Sequence, residues 1–171
     1  MNEKEARLAI QSLLNTNSST LLSGISHFGQ DRVFAHLTTS AITPPTGYYF
    51  IAVYAINIRE TAMKIGTNNP SPIPQIFHNM EIALVDYIDG ITGETELYEQ
   101  MDSDFQMLGD RIVDLLKDQL FIVSPGSIKF RINRQEPTVT KTNRPVTWED
   151  GDSFYAMLFA DINFELEECA I

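Results

Sequence analysis

Five aspartates in one amphipathic segment are the residues whose type and spacing could support chemistry. Asp110, Asp114 and Asp118 recur at i, i+4 and i+8, and Asp102 and Asp104 stand near the start of the segment. Carboxylates on one helix face can hold a divalent cation, as in a metal-dependent nuclease. The same spacing is common on the solvated face of a helix without any site. Both interpretations fit the residues, and we favour the solvated face.

The other reactive residue types lack the spacing that catalysis or metal binding requires. His27, His36 and His78 stand far apart in the sequence, without an HxxxH or HExxH pair. The sequence has no GxSxG elbow and no glycine-rich phosphate loop. Cys169, the single cysteine, is expected to be an inert thiol. We therefore expect no enzymatic activity, no cofactor and no metal site.

The 171 residues carry a formal net charge of −11, and the charges are unevenly distributed. Ten acidic and two basic residues lie within 86–118, and seven acidic and no basic residues lie within 149–168. Five basic residues and one acidic residue lie within 129–144. The acidic excess argues against a surface that binds nucleic-acid phosphates. Since no apolar run could span a membrane or serve as a signal peptide, we expect a soluble, intracellular product without a membrane partner.

The apolar periodicity predicts a single α+β domain over residues 1–171. Helical spacing indicates helices near 2–15 and over Met101–Gln119. Alternation and β-branched residues indicate strands at Arg32–Phe34, Tyr48–Ile58, Ile76–Ile88, from Ile128, and at Phe154–Glu167, where every even position is apolar. These elements predict a mostly antiparallel or mixed β-sheet of four or more strands, with two main helices packed on one face. This arrangement buries the apolar faces of the strands and helices.

Two proline-bearing segments are predicted to be long loop or hairpin insertions. Arg59–Gln75 contains Pro70, Pro72 and Pro74, so we expect neither a central strand nor a continuous helix there. Arg134–Asp152 is the second such segment. Because long loops commonly bind something, both segments are candidate arms that reach a neighbouring chain.

The charged strands allow two interpretations. Lys129 and Arg131 would lie across from Asp161, Asn163 or Glu165 if their strands pair, which stabilises by roughly a few tenths of a kcal/mol per pair. Alternatively, basic and acidic surfaces of neighbouring subunits meet in a heterologous contact that closes a ring. Trp148 could anchor such an interface or cap the core. The candidate interface residues are Lys64, Pro70, Pro72, Pro74, Lys129, Arg131, Arg134, Lys141, Arg144, Trp148, Asp161, Glu165 and Glu167.

Six segments follow one another in an order typical of a known family. They are a first helix ARLAIQSLL, a loop ending in GQDRVFAHL, the strands YYFIAVYAINI and FHNMEIALVDYI, the helix FQMLGDRIVDLLKDQL and the closing strand FYAMLFADINFELEE. In this order the chain resembles the tail terminator, or tail completion, proteins of long-tailed bacteriophages. It departs from the shorter family members in its two insertions. The resemblance therefore includes neighbouring neck proteins of the same fold.

The resemblance implies a virion structural protein of the phage tail and neck, made in the host cytoplasm. Such a protein forms a ring, commonly a hexamer, on the last ring of the tail tube protein. The ring ends tube polymerisation and docks to the head–tail connector protein, while DNA passes through an acidic lumen without specific contacts. The alternatives are another neck or tail component, such as a connector adaptor, stopper or tube protein, and a metal-dependent nuclease that uses the helix carboxylates.

Overall fold

Three helices and eight strands form the part of the chain that the computed structural model describes, namely residues 2–25, 33–34, 49–63, 73–92, 95–134, 139–144 and 146–169. The helices are α1 (Glu3–Thr16), α2 (Ser18–Leu21) and α3 (Thr95–Asp118). The strands are β1 (Val33–Phe34), β2 (Tyr49–Met63), β3 (Ile73–Thr92), β4 (Ile122–Val123), β5 (Lys129–Ile132), β6 (Val139–Asn143), β7 (Val146–Asp150) and β8 (Ser153–Glu168). The chain is an α+β protein, as its periodicity predicts.

The eight described strands belong to one sheet, in which six follow the order β1-β2-β3-β8-β5-β4. β6 and β7 also pair with β8, so β7, β6 and β5 follow one another along a single edge of β8. β1 and β2 are parallel, and the other described pairs are antiparallel. The sheet is therefore mixed and mostly antiparallel, in agreement with the expectation from sequence.

The closing strand β8 lies in the interior of the sheet, and one of its faces is apolar from Ala156 to Leu166. Its even-numbered residues from Ala156 to Leu166 are at most 6% exposed. β3 pairs along the opposite edge of β8, from Thr92 beside Ser153 to Phe77 beside Glu167. The strand predicted at Phe154–Glu167 is confirmed and is one residue longer at each end.

The buried core combines this even-numbered face with apolar residues of α1 and α3. α1 buries four residues at helical spacing: Ala6, Ala9, Ile10 and Leu14. α3 adds a second stripe to the same buried cluster: Phe105, Leu108, Ile112 and Leu116. Burial of one such large side chain stabilises by about 1.5–3 kcal/mol, so these stripes hold the helices on the sheet. α3 begins six residues before the predicted start at Met101.

The β2–β3 hairpin extends into the first predicted insertion from both ends. β2 continues to Met63 and β3 begins at Ile73, so both ends of Arg59–Gln75, where the sequence predicts a loop or hairpin insertion without a central strand, belong to the sheet. Pro74 pairs with Ala62 of β2, and described pairing between β3 and β8 starts only at residue 77. A proline is tolerated there because the ladder needs its backbone on one side only. Residues 64–72 lie outside the described residues.

The second predicted insertion, Arg134–Asp152, lies largely within the sheet. β6 pairs with residues 160–164 of β8, and β7 pairs with residues 153–157. The predicted loop or hairpin insertion is therefore built into the sheet as strands, and β7 forms a hairpin with β8. Beyond the end of β5, β8 presents a long row of backbone N–H and C=O groups, and the returning chain satisfies them. Gly151, with φ of 62°, opens the two-residue loop that closes the β7–β8 hairpin.

Candidate interaction surface

The odd-numbered face of β8 carries a row of acidic and amide side chains. Asp161, Asn163, Glu165 and Glu167 are the odd-numbered residues in the second half of β8, and all four are partly buried. The sequence pattern predicts this polar half of the strand. Arginines from other segments bind the three carboxylates, so each forms an ion pair within its own chain.

Arg59 of β2 reaches across β3 to Glu165. Its Nη2 atom lies 3.0 Å from each Glu165 carboxylate oxygen. Its guanidinium carbon lies 4.4 Å from the centroid of the Phe77 ring, which stands between the two strands. The face of the Phe77 ring attracts the Arg59 guanidinium and so stabilises the extended conformation of the Arg59 side chain. Sequence reasoning missed Arg59, whose partner is 106 residues away.

Arg131 of β5 stands directly opposite Glu167, with Nε 2.5 Å from Oε2. The hydrogen bond and the charge of Glu167 raise the pKa of Arg131. A cross-strand acidic partner is therefore confirmed, but the predicted register is wrong, because β6 and β7 occupy the edge beside residues 153–164. Lys129, the other predicted strand cation, is exposed and stands opposite Val123 of β4. Arg144 binds Asp161.

Glu81 of β3 lies beside this row, opposite Asn163. Partial burial raises the pKa of the Glu81 carboxyl, and the negative charge of Asp161 raises this pKa further. Arg144 acts in the opposite direction but does not compensate for both effects. This part of the face therefore holds more negative charge than its arginine neutralises.

A cleft of about 520 Å³ opens beside the Arg131–Glu167 pair. It is lined by Gln75, Phe77, Leu120, Phe121, Arg131, Ile132, Asn133, Arg134 and Glu167. Leu120 is 66% exposed and Phe121 50% exposed, both in the segment that follows α3. Gln75 Nε2 and Asn133 Nδ2 donate to Glu167 and Glu165 at 3.1 Å and 2.5 Å. We call this site the cleft; it combines exposed apolar side chains with basic and amide groups.

Arg134 differs from the other arginine in the cleft. It is exposed and forms no ion pair with any residue that the structure describes. Since Arg131 is already bound to Glu167, Arg134 is the cation of the cleft that can bind another carboxylate. The sequence predicts Arg134 as an interface residue, but the apolar residues beside it carry no periodic signal that would have identified them.

Lys141 lies on the helix-facing side of β6. Its side chain is 16% exposed, and Nζ binds Asp110 of α3. A Cβ atom added at Gly109 would come within 3.1 Å of Lys141 Cδ, so the absence of a side chain at Gly109 leaves room for the lysine stem. Lys141, a predicted interface residue, therefore packs within its own chain.

The structure separates the aspartates that suggest a metal site. Asp110 binds Lys141, Asp102 accepts a hydrogen bond from Gln106, and Asp104 is buried. Asp114 and Asp118 are exposed. Among the described residues, no group of three or more His, Cys, Asp or Glu side chains converges to hold a metal ion.

Three polar contacts that sequence reasoning missed lie at one end of the sheet, and two of them join it to the start of α1. His78 is fully buried, with Nε2 3.3 Å from Glu168 Oε2, and Asn2 donates to the other Glu168 oxygen at 2.5 Å. Glu5 accepts a hydrogen bond from the Gly126 amide at 2.9 Å. Hydrogen bonds from Ser124 and Gly126 lower the pKa of the Glu5 carboxyl. His78 occupies an even position of β3, so the strand periodicity could have indicated its burial.

The remaining predicted interface residues occupy different surroundings. Pro74 is exposed in β3, and Trp148 stands opposite Tyr155 in the β7–β8 pair. Lys64, Pro70 and Pro72 lie outside the described residues. The structure therefore brings Arg131, Arg134 and Glu167 together at the cleft, and places the other described candidates elsewhere in the sheet.

Comparison of the sequence with known proteins assigns no family to this chain. Neither the models of known protein families nor the curated proteins match the sequence. Of the helices that the structure describes, none combines the length and the apolar character needed to cross a membrane.

Proposed function

We propose that this protein is a structural component of a bacteriophage virion, a tail terminator that forms a ring at the head-proximal end of the tail. The observation that carries the proposal is the order of elements: α1, the long β2–β3 hairpin, α3 and the long closing strand β8. This is the order on which the resemblance to tail terminator proteins rests. In this proposal α1 and α3 are the two main helices of that fold.

The exposed apolar residues favour a protein that binds other proteins. Leu120, Phe121 and Val123 are each at least half exposed and follow one another closely in sequence after α3. Val146 is 51% exposed at the start of β7. Contiguous exposed apolar residues rimmed by polar groups are typical of interaction sites. Such residues suit a subunit of an assembly whose partners are copies of itself, the tail tube protein and the head–tail connector protein.

The acidic character supports a role beside DNA without binding it. With a net charge of −11, the protein as a whole repels phosphates. In a ring, acidic side chains that line the lumen would keep passing DNA from adhering. The proposed function is structural and includes no catalytic step.

Electron microscopy of the purified protein tests the proposal. We expect rings with a central hole in two-dimensional class averages, commonly with six subunits. When the protein is mixed with isolated tail tubes, it should cap the tube ends and stop their growth. Extension of the tubes would instead indicate a tube protein. A protein that leaves tube ends unoccupied and does not form rings at high concentration would contradict the proposal.

A further inference from the structure

The side chains that line the cleft are suited to bind a group that carries a carboxylate next to apolar atoms. Arg134 supplies an exposed cation without a partner among the described residues, and Leu120 and Phe121 supply apolar surface within the same opening. A guanidinium binds carboxylates through fixed, paired N–H donors. Phosphate is a poor candidate, because Glu167 also lines the cleft and the chain as a whole is strongly acidic.

The β7–β8 turn offers the matching groups. Glu149, Asp150 and Asp152 are exposed and form no ion pair within the described part of the chain. The tight loop at Gly151 joins two paired strands and therefore presents these acids on a stable hairpin. Val146, 51% exposed, provides an apolar group on the same hairpin.

The turn and the cleft lie at opposite ends of β8. The turn precedes Ser153, and the cleft includes Glu167. At about 3.3 Å per residue, these two ends of the strand are roughly 45 Å apart. The turn of one molecule therefore cannot enter its own cleft, but it can enter the cleft of another copy.

We infer that the cleft receives the β7–β8 turn of a second copy, with Arg134 bound to the carboxylates of Asp150 and Asp152 and with Leu120 and Phe121 covered by the incoming hairpin. The contact joins two different surfaces, so it is heterologous and repeats from copy to copy until rotation closes a ring. The inference rests on the proposed function in that it names the contact between neighbouring subunits of the ring.

Charge reversal tests this contact in the full chain. Arg134→Glu and the double variant Asp150→Lys/Asp152→Lys should each weaken self-association at least about tenfold, because like charges then face each other. Analytical ultracentrifugation over a range of protein concentrations measures the effect. Both sites are exposed and form no ion pair with a residue that the structure describes, so the variants should keep the circular dichroism spectrum and melting temperature of the wild type. Lys4→Glu and the double variant Asp114→Lys/Asp118→Lys are the matched charge changes at exposed positions outside the contact and should leave association unchanged.

Mixing the two variants gives a sharper result. Each variant alone presents one mismatched pair, whereas in an alternating mixture every cleft meets a turn of opposite charge. The equimolar mixture should therefore assemble like the wild type, although neither variant does so alone. A reciprocal exchange of cleft and turn between two copies would stop at a heterodimer in this mixture, whereas the ring contact should restore assemblies of the wild-type size.

The outcomes separate this contact from the proposed function. Wild-type rings that persist unchanged in Arg134→Glu would overturn the contact and leave the terminator proposal standing. Assemblies that need Arg134 but never cap tail tubes would support the contact and overturn the terminator proposal. A wild-type chain that remains monomeric at high concentration would overturn the contact, and the tube-capping assay would then decide the terminator proposal by itself.

Discussion

The carboxylate of Glu5 accepts a hydrogen bond from the backbone amide of Gly126, at 2.9 Å and across 121 residues of sequence. This contact joins the first turn of α1 to the turn between β4 and β5. Gly126 is suited to it because a Cβ atom there would lie 2.5 Å from Glu5 Oε2. The end of the sheet and the start of the first helix are therefore held together by a contact whose present geometry leaves no room for a Cβ atom at residue 126.

Replacement of Gly126 by alanine should break this contact. The added methyl group would displace the Glu5 carboxylate, and the melting temperature should fall. Ser127→Gly is the control in the same turn, because Ser127 has φ of 65° and glycine adopts this conformation without strain. We expect Ser127→Gly to maintain or raise the melting temperature. An equal loss in both variants would show that the turn, and not the carboxylate contact, determines the effect.

The lowered pKa of Glu5 predicts a pH dependence with a defined sign. A carboxyl group whose pKa is lower in the folded state stabilises the protein above the unfolded value of 4.5, and this stabilisation is lost as pH falls through the folded pKa. Glu5→Gln should therefore lower the free energy of unfolding at pH 7, and the difference from the wild type should shrink below pH 4.5. Urea unfolding at several pH values measures this difference. Glu3→Gln, on the same helix but exposed, should change it little.

Glu81 should behave in the opposite way. Its pKa is raised by burial and by Asp161, so its ionised form destabilises the folded state once pH rises above the ordinary glutamate pKa of 4.5. Glu81→Gln should raise the free energy of unfolding at neutral pH by less than about 1 kcal/mol, because the carboxyl remains partly solvated. The gain should disappear at pH below 4.5. A loss of stability at pH 7 would mean that the carboxylate forms a favourable contact that outweighs its burial.

The sequence was sufficient where burial alone determines an element. The even positions of β8 and the apolar stripe of α3 each face one core, so their periodicity predicts both elements. It was insufficient for β6, in which Val139 is followed by four polar residues, Thr140 to Asn143. β6 is a strand because the edge of β8 needs backbone partners, and local sequence does not contain this information.

The candidate site likewise contains residues that the sequence predicts and residues that it does not. The charge pattern predicts Arg131 and Arg134 as basic interface candidates, and the structure places both at the cleft. The charge pattern could not predict that Glu167 is the partner of Arg131. The position of β5 along β8 depends on where β6 and β7 pair with β8. Leu120 and Phe121 belong to no periodic pattern, since they lie between α3 and β4.

Lys141 should contribute to stability through its hydrocarbon stem more than through its charge. The stem packs beside Gly109 under α3, whereas Asp110, its ion-pair partner, is largely solvent-exposed. Lys141→Ala should lower the free energy of unfolding by about 1–2 kcal/mol, and Lys141→Met by clearly less, because methionine keeps most of the apolar contact. Lys129→Ala, at an exposed strand position, should stay within about 0.5 kcal/mol of the wild type. Equal losses in Lys141→Ala and Lys141→Met would assign the effect to the ion pair.

The Arg131–Glu167 pair can distinguish the two interpretations of the basic strand. If the pair acts within one chain, a double-mutant cycle with Arg131→Met and Glu167→Gln should give a coupling energy of about 0.5–1 kcal/mol that does not depend on protein concentration. The coupling should also weaken as salt is added, since Arg131 is 54% exposed. Chemical unfolding at two protein concentrations and two salt concentrations measures both dependences. Coupling that grows with protein concentration would instead place the partner of Arg131 on a neighbouring subunit.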